Sequence, residues 1–263
     1  MTAEDAEKLD VFFSKFEDGN NPLLLLDYDG TLASFRMNRF VARPWAGVPE
    51  LLTRIQRHGR TRIAVITGRP AIEIAPLLGL DAPVEVWGLH GAERLYDDGR
   101  RELEAADRKT RKKLDELRDQ LRRDSCGGLL EDKQNAVVMH WRGASPHKAA
   151  LIEKKTRELF EPETRVNGLR LLEFEAGLEL RAGRDKGGAV DAILAEAGAD
   201  SPVAFLGDDL TDEAAFRAVN AVGARGLSAL VRREYRETAA RIWLRPPQEL
   251  RAFLSRWAET MKG

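Results

Sequence analysis

The sequence has little of several features that would assign it to a class at once. It contains one cysteine, Cys126, in 263 residues, which excludes an intrachain disulfide and a thiolate metal cluster within one chain. Neither sign of charge dominates, because 42 Lys and Arg residues stand against 43 Asp and Glu residues. A chain this balanced lacks the positive excess that general nucleic-acid binding requires. We therefore expect no nucleic-acid partner and, from the lone cysteine, a reducing compartment.

Long apolar runs are also missing. No segment approaches the roughly 20 apolar residues of a membrane helix. Residues 1–16 interleave acids with apolar side chains, whereas a secretory signal has a basic start and an unbroken apolar stretch. No glycine-rich phosphate loop follows the first apolar run, which argues against a nucleotide-binding α/β protein. The expectation is a cytoplasmic monomer without a membrane partner, and its 43% of hydrophobic residues are enough for a folded core.

Apolar runs alternate with helical patterns in the two outer parts of the sequence. The runs are typical of strands buried on both faces of a parallel sheet. The predicted strands of these parts lie at 23–26, 61–66, 84–87, 203–206, 221–223 and 242–244. The predicted helices lie at 48–58, 71–78, 186–197, 212–219 and 246–261. Strands that alternate with helices predict parallel βαβ units.

The alternation breaks in the middle of the chain. The highly charged segment 107–124 predicts an amphipathic helix with Leu114, Leu117 and Leu121 on its inner face, and the alternative is a phosphate-binding surface. The remaining predicted elements are strands at 129–133, 136–141, 169–174 and 178–181 and a helix at 146–160. The sequence thus predicts an α/β fold, with a Rossmann-like parallel-sheet core and an inserted α+β cap domain. The core takes residues 1–105 and 184–263, and the cap takes 106–183.

Two acidic clusters follow predicted strands. Asp27 and Asp29 come directly after the run at 23–26, and alternation along an extended chain lets both face one direction. Asp208, Asp209 and Asp212 follow the run at 203–206. Because ligands of parallel sheets bind beyond the carboxyl ends of the strands, these loops would gather negative charge in one place, which is unfavourable without a cation. Oxygen ligands favour magnesium over zinc. The alternative is a pair of acidic turns that cap neighbouring amides.

A hydroxyl and an ammonium group complete this set. Thr67 ends the run at 61–66, and Lys186 begins a helical segment. Taken alone, Thr67 is more often a helix N-cap and Lys186 more often a solvated lysine. Together with the acids they supply a nucleophile, a metal site, a hydroxyl and a cation, which are the parts that phosphoryl transfer requires.

These residues resemble the four motifs of the haloacid dehalogenase superfamily of phosphatases, in order and in strand placement. The matching residues are Asp27 to Thr31, Thr67, Lys186, and Gly207 to Asp209. Since the insert lies between the second and third motifs, the chain is similar to the subgroup with an α/β cap there. Within that subgroup it resembles the trehalose-6-phosphate phosphatases. The supporting segments are 88–93, 131–133, 140–142, Glu179 with 186–187, and 207–213. The chain departs from the family at Trp141, where tyrosine is usual, and near Ala182, where proline is frequent.

The resemblance implies hydrolysis of trehalose 6-phosphate to trehalose and phosphate through an aspartyl-phosphate. It makes Asp27 the nucleophile and Asp29 the general acid and base, with Thr67 and Lys186 binding the phosphoryl group. It also implies bound Mg²⁺. The implied ligands are Asp27, the backbone carbonyl of Asp29, and Asp208, supported by Asp209 and Asp212.

Sugar recognition is assigned by the same resemblance to the inserted cap, which would close over the sugar. Glu131, Lys133 and Glu179 would bind its hydroxyl groups, and the alternative is that they occupy solvent-facing strand positions. Three further candidates for substrate binding are Arg69, His90 and Arg142. Either arginine is also suited to pairing with nearby acids, and the histidine to a structural role.

Two other functions stay open. A phosphatase for another sugar phosphate, such as sucrose phosphate, mannosyl-3-phosphoglycerate or glucosylglycerol phosphate, would use a related cap. A non-catalytic sugar-phosphate sensor would have lost the nucleophile or the acid, whereas both Asp27 and Asp29 are present.

Overall fold

A computed structural model describes residues 2–16, 21–36, 38–104, 106–123, 129–133, 135–166 and 169–261. Cys126 and Asp124, which figured in the sequence predictions, lie outside these residues. The chain divides into two compact units. The core unit is Met1–Leu103 with Lys186–Gly263, and the insert unit is Glu104–Asp185.

Helices and strands are numbered in chain order over the described residues. The helices are α1 (Ala3–Phe13), α2 (Val48–Arg57), α3 (Ala71–Ile74), α4 (Arg108–Arg123), α5 (Pro146–Val166), α6 (Lys186–Glu196), α7 (Glu213–Ala221) and α8 (Gln248–Thr260). The strands are β1 (Leu23–Leu26), β2 (Arg62–Ile66), β3 (Glu85–Gly88), β4 (Glu93–Leu95), β5 (Arg101–Leu103), β6 (Leu130–Lys133), β7 (Ala136–His140), β8 (Arg170–Phe174), β9 (Gly177–Arg181), β10 (Val203–Gly207), β11 (Gly226–Val231) and β12 (Ile242–Leu244). Within the described residues, no helix combines the length and apolar character needed to cross a membrane.

A mixed sheet forms the centre of the core unit. Its strand order is β12-β11-β10-β1-β2-β3-β4-β5. The strands from β12 to β3 run parallel, and β4 and β5 add an antiparallel edge. This arrangement confirms the predicted α/β fold with a sheet that is mainly parallel.

The four leucines of β1 show why this strand is a continuous apolar run. Leu24 and Leu26 pack on the face covered by α1, α2 and α8. Leu23 and Leu25 pack on the opposite face, against α6 and α7. Each is at most 2% exposed, and burying a leucine side chain contributes about 1.5–3 kcal/mol. Helices on both faces therefore require apolar residues at every position of the central strand.

The insert unit has its own sheet and its own apolar core. The strand order is β6-β7-β9-β8, and every pair is antiparallel. Leu114, Leu117 and Leu121 of α4 are buried in a cluster with side chains from α5 and from one face of this sheet. The amphipathic helix and the antiparallel strands predicted for this segment are confirmed.

One predicted strand of the core is wrong. Residues 221–223 end α7 and begin a 3₁₀ turn at Gly223, whose φ of 75° suits glycine. The strand lies three residues later, as β11. Its apolar run is interrupted by Ser228, which is fully buried and donates its hydroxyl to Asn220 Oδ1 at 2.7 Å. A buried serine is tolerated in a core strand when it is hydrogen-bonded. Its polar side chain breaks the apolar pattern by which the strand would be predicted.

Other differences concern the ends of elements and the sheet edge. The helix α5 continues to Val166, through Pro162, whereas its predicted end was residue 160. The prediction did not contain the edge strands β4 and β5, which have three residues each and are rich in Arg and Glu. Such short charged strands lack the apolar pattern by which buried strands are found.

Candidate functional site

The candidate site lies where three adjacent strands of the core unit end. β10, β1 and β2 are neighbours in the sheet and run parallel. The residues that follow them are Asp208, Asp27 and Thr67, in that order. The sheet therefore brings these three predicted site residues to one edge, as expected for ligands bound at the carboxyl ends of parallel strands.

Lys186 connects two of the acids. Its Nζ donates to Asp27 Oδ1 at 2.7 Å and to Asp212 Oδ1 at 2.6 Å, and all three side chains are buried. Burial acts to lower the pKa of Lys186, but Asp212 and Asp27 outweigh it and raise this pKa above its usual value. The lysine therefore remains an ammonium group inside the site instead of a solvated surface residue.

Asp27, Asp208 and Asp212 form a buried carboxylate cluster. Each offers an oxygen within 4.8 Å of the others. Burial, opposed by Lys186, raises the pKa of Asp27 to about 7. Burial and the negative charge of Asp27 raise the pKa of Asp208 well above its usual value. Among the described residues, Asp27 Oδ2 is buried without a hydrogen-bond partner. An unpartnered oxygen beside two further carboxylates fits a divalent cation with oxygen ligands.

The loop after β10 forms the capping contacts that its acids suggested. Asp212 Oδ2 accepts from the amides of Asp208 at 2.8 Å and Asp209 at 2.9 Å. The Asp209 carboxylate accepts from the amide of Leu210 at 2.8 Å and begins a 3₁₀ turn. These acids therefore cap neighbouring amides, and the same capping holds Asp212 in the carboxylate cluster.

Asp29 lies at the edge of the site rather than within the cluster. Its side chain is 26% exposed, and its Oδ1 is 3.6 Å from Arg69 Nη1. Burial raises the pKa of Asp29, and Arg69 opposes this increase. An acid that is partly exposed and holds its proton more tightly than usual can exchange that proton with a reactant.

Arg69 is itself held by several groups. Its guanidinium donates to the carbonyl of Arg39 at 2.9 Å and to Glu73 at 3.4 Å, in addition to the ion pair with Asp29. The side chain is only 8% exposed. Arg69 therefore pairs with nearby acids, and its role in substrate binding stays a prediction.

A backbone hydrogen bond joins Thr67, at the start of the loop that follows β2, to His90. The Thr67 hydroxyl accepts from the amide of Arg69 at 3.2 Å, and its carbonyl accepts from the amide of His90 at 2.8 Å. A Cβ on Gly68 would lie 2.6 Å from His90 Nε2. His90 has a left-handed φ of 56°, which is unfavourable for a non-glycine residue and needs support from its surroundings.

Glu93 supports this loop, although no pattern in the sequence assigns it a role. It is fully buried, accepts from the amide of Ala71 at 2.7 Å and pairs with Arg101 at 2.5 Å. Ala71 is the first residue of α3, so Glu93 caps the helix that follows the Thr67 loop. A Cβ on Gly88 would lie 2.6 Å from the Glu93 carboxylate. In the sequence, Glu93 stands out only as part of the segment 88–93. That segment indicates the family but does not predict the hydrogen bond between Glu93 and the amide of Ala71.

In the insert unit, the strand register places the predicted sugar ligands on one face of the sheet. Glu131 is opposite Val138, and Val138 is opposite Glu179. Glu131 bonds to His140 Nε2 at 2.8 Å. Lys133 donates to Glu179 at 2.8 Å.

Glu179 does not occupy a solvent-facing position. It is 2% exposed and also pairs with Arg181 at 3.3 Å. Arg142 is exposed and donates to the carbonyl of Glu175 at 3.5 Å.

Comparison with solved structures identifies the class of this fold. The chain is similar to the C-terminal domain of trehalose-6-phosphate phosphatase from C. albicans, with a TM-score of 0.76 and 20% identity over 95% of this chain and 96% of that one. It is also similar to a haloacid dehalogenase-like hydrolase from B. subtilis, with a TM-score of 0.64 and 15% identity over 88% of this chain and 98% of that one. The fold is that of the haloacid dehalogenase-like hydrolases.

The sequence comparisons are more specific. Residues 25–243 match the family model of the trehalose-phosphatases. The trehalose-phosphate phosphatase of Mycolicibacterium paratuberculosis is 30% identical over 260 residues, which cover 93% of this chain and 64% of that protein. The chain belongs to the trehalose-phosphatase family, which confirms the family predicted from the motifs, and it spans 64% of the length of that relative.

Proposed function

We propose that this chain hydrolyses trehalose 6-phosphate to trehalose and phosphate, as a cytoplasmic monomer. The observation that carries the proposal is Asp27. In a member of the trehalose-phosphatase family, this buried carboxylate follows the central strand, touches Lys186 through Oδ1, and has no partner on Oδ2 among the described residues. A carboxylate with one anchored and one available oxygen is suited to attack an electrophile.

The proposed reaction is a double displacement. A carboxylate oxygen of Asp27 attacks phosphorus, and the bond from phosphorus to the sugar oxygen breaks while Asp29 donates a proton to that oxygen. Asp29 then takes a proton from water, which attacks the aspartyl-phosphate and releases phosphate and free Asp27. The fixed charge of Lys186 and the hydroxyl of Thr67 would stabilise the phosphoryl oxygens, where negative charge is spread in the transition state.

The oxygen-rich cluster fits magnesium. Asp27, Asp208 and the backbone carbonyl of Asp29 would hold the ion, supported by Asp209 and Asp212. When bound, the ion would withdraw negative charge from the phosphoryl group. What supports the assignment is the donor set, three buried carboxylates within 4.8 Å of one another, with no thiolate or imidazole among the proposed ligands.

Metal removal tests this part of the proposal. Exhaustive chelation is expected to abolish turnover, and added magnesium is expected to restore it. Calcium should bind yet support little turnover, because its looser coordination positions the attack poorly. Initial rates of the treated and the reloaded enzyme are the measurement. Turnover that is undiminished after chelation would rule out the metal site.

Specificity is proposed to reside in the cap, residues 106–183, and the chemistry in the core, residues 1–105 and 184–263. Glu131, Lys133 and Glu179 would bind the sugar hydroxyls. What supports this assignment is their common sheet face and the way each is held by a charged or polar neighbour. The remaining candidates for substrate binding are Arg69, His90 and Arg142.

A panel of substrates tests the function directly. The catalytic efficiency of the purified chain would be measured with trehalose 6-phosphate, sucrose phosphate, mannosyl-3-phosphoglycerate, glucosylglycerol phosphate and p-nitrophenyl phosphate. Trehalose 6-phosphate is expected to give the highest value. A higher value for another sugar phosphate would transfer the assignment to that substrate, and turnover of none of them would favour a sensor.

The panel needs a control for contaminating phosphatases. Asp27→Asn is nearly isosteric but cannot form the acyl-phosphate, so it is expected to lose all turnover while keeping its fold intact. Asp200→Asn, at an exposed position, is the matched variant and should retain full activity. Full activity in a clean Asp27→Asn preparation would contradict the mechanism.

A further inference from the structure

Arg236 holds the backbone of the acidic loop from a distant part of the sequence. Its Nη2 donates to the carbonyl of Asp209 at 2.7 Å, and its Nε donates to the carbonyl of Asp208 at 3.3 Å. Its Nη1 bonds to Glu213 Oε1 at 2.5 Å and to the carbonyl of Glu237 at 2.9 Å. The guanidinium therefore contacts two consecutive residues of the loop that carries Asp208.

Glu213 gives the same segment a second attachment. This residue begins α7, directly after Asp212. Its carboxylate accepts from the Thr238 hydroxyl at 2.7 Å and from the Ala239 amide at 2.8 Å. The segment from 236 to 239 is thus tied to both ends of the loop that contains Asp208, Asp209 and Asp212.

These contacts can stabilise a loop whose carboxylates lie close to one another. Like charges repel, and the carboxylates of Asp27, Asp208 and Asp212 approach within 4.8 Å. Hydrogen bonds from a guanidinium to a carbonyl are charge-assisted, and the planar fork fixes direction as well as distance. Arg236 is 17% exposed and Glu213 is 15% exposed, so water weakens their interaction less than it would at the surface.

We propose that Arg236 is a positioning residue that fixes the backbone at 208–209, and thereby the carboxylate of Asp208, for binding a divalent cation. This inference rests on the proposed function, because it concerns the cation site of the same phosphatase. Among the described residues, the hydrogen bonds of the Arg236 side chain go to the loop, to Glu213 and to Glu237, so it acts through them.

Arg241 offers a matched control. Its guanidinium also bonds to backbone carbonyls, those of Gly223 at 2.7 Å, Gly226 at 2.7 Å and Asn220 at 3.0 Å. These three residues lie at the opposite end of α7 and at the start of β11, away from the acidic loop. Arg241→Met and Arg236→Met therefore remove the same kind of contact from different places.

The experiment compares both variants with the wild type by magnesium titration calorimetry, by the magnesium concentration for half-maximal turnover, and by melting temperature. Removal of a group that supports a metal ligand typically weakens binding by 10–100-fold. We expect Arg236→Met to weaken magnesium binding by about tenfold or more and Arg241→Met to leave it within about twofold. Arg236→Lys keeps the positive charge but loses the planar fork of the guanidinium, so its magnesium affinity should lie between those of the wild type and Arg236→Met. If Arg236→Met folds poorly, Arg236→Lys takes its place in the comparison.

Three outcomes would overturn the inference. Magnesium binding in both Arg236 variants that equals the wild type would show that Arg236 only stabilises the fold. Equal losses in the Arg236→Met and Arg241→Met variants would show a general effect of loosening this region. A wild type that neither binds magnesium nor turns over any sugar phosphate would overturn the proposed function and this inference together.

Discussion

At the scale of single residues, Gly30 shows how closely the two acidic loops approach. A Cβ at this position would lie 2.0 Å from Asp208 Oδ2, and the φ of Gly30 is 92°. Both the contact and the left-handed backbone require glycine. The loop that carries Asp27 and Asp29 therefore passes directly against the carboxylate of Asp208, and the sequence motif needs its glycine for space as much as for the turn.

Comparison of Gly30→Ala with Gly99→Ala separates the requirement for space beside Asp208 from the requirement for a left-handed backbone. Gly99 also has a left-handed φ, 85°, but a Cβ there would meet nothing within 4 Å. Gly99→Ala should cost about 1–2 kcal/mol of stability through backbone strain alone and should leave turnover unchanged. Gly30→Ala should also displace Asp208 and reduce turnover at least tenfold. Denaturant unfolding and kcat measure the two effects, and equal turnover in both variants would contradict the assignment.

The sequence predicts those site residues that directly follow a strand. Asp27, Thr67 and Asp208 each follow a buried strand, so a parallel sheet was enough to place them at one edge. Arg236 lies in a run of charged residues that is typical of a solvated surface segment. Its contact with the 208–209 backbone depends on how the chain after β11 returns over the loop, and no local pattern encodes that path.

At the scale of elements, the short helix α3 is stabilised by a residue of the edge strand β4. Its first amide, that of Ala71, bonds to the buried carboxylate of Glu93 in β4, and Glu93 pairs with Arg101 in β5. The antiparallel edge of the sheet therefore stabilises the helix that follows the Thr67 loop. These edge strands are too short and too charged to be predicted, so this dependence was not visible in the sequence.

The substitution Glu93→Ala tests that dependence. It leaves the amide of Ala71 buried without its acceptor and should lower the free energy of unfolding by about 1–3 kcal/mol. Glu93→Gln keeps an acceptor and should lose less. Glu102→Ala, at an exposed position in β5, is the control and should stay within about 0.5 kcal/mol of the wild type. Denaturant unfolding is the measurement, and a wild-type value for Glu93→Ala would show that water replaces the carboxylate.

At the scale of the whole molecule, chemistry and sugar recognition are expected to be separable, because the proposed catalytic residues belong to the core unit, whereas Glu131, Lys133 and Glu179 belong to the insert unit. Glu131→Ala should reduce the catalytic efficiency for trehalose 6-phosphate by roughly one to two orders of magnitude, the equivalent of about 1.5–3 kcal/mol for a hydrogen bond with a charged partner. Turnover of p-nitrophenyl phosphate, which has no sugar, should barely change.

Glu173→Ala is the matched control in the same unit. Glu173 is opposite Leu178, whose side chain belongs to the helix-covered face of the sheet, and it pairs with Arg157 of α5. The substitution Glu173→Ala should leave unchanged the ratio of the catalytic efficiencies for trehalose 6-phosphate and p-nitrophenyl phosphate. Equal losses on both substrates in Glu131→Ala would indicate a role in the fold, and no loss on either would indicate an exposed strand position.

The register of the central strand has a consequence for how the chain is made. Leu23 pairs with Val203, 180 residues later. At about 5–20 residues per second, a ribosome takes roughly 10–40 seconds to deliver that partner. The strand pairs described for Glu104–Asp185 lie within that unit, so the insert can complete its sheet first. During this interval one edge of a strand of four leucines stays open, and we expect this nascent chain to depend on chaperones until β10 emerges.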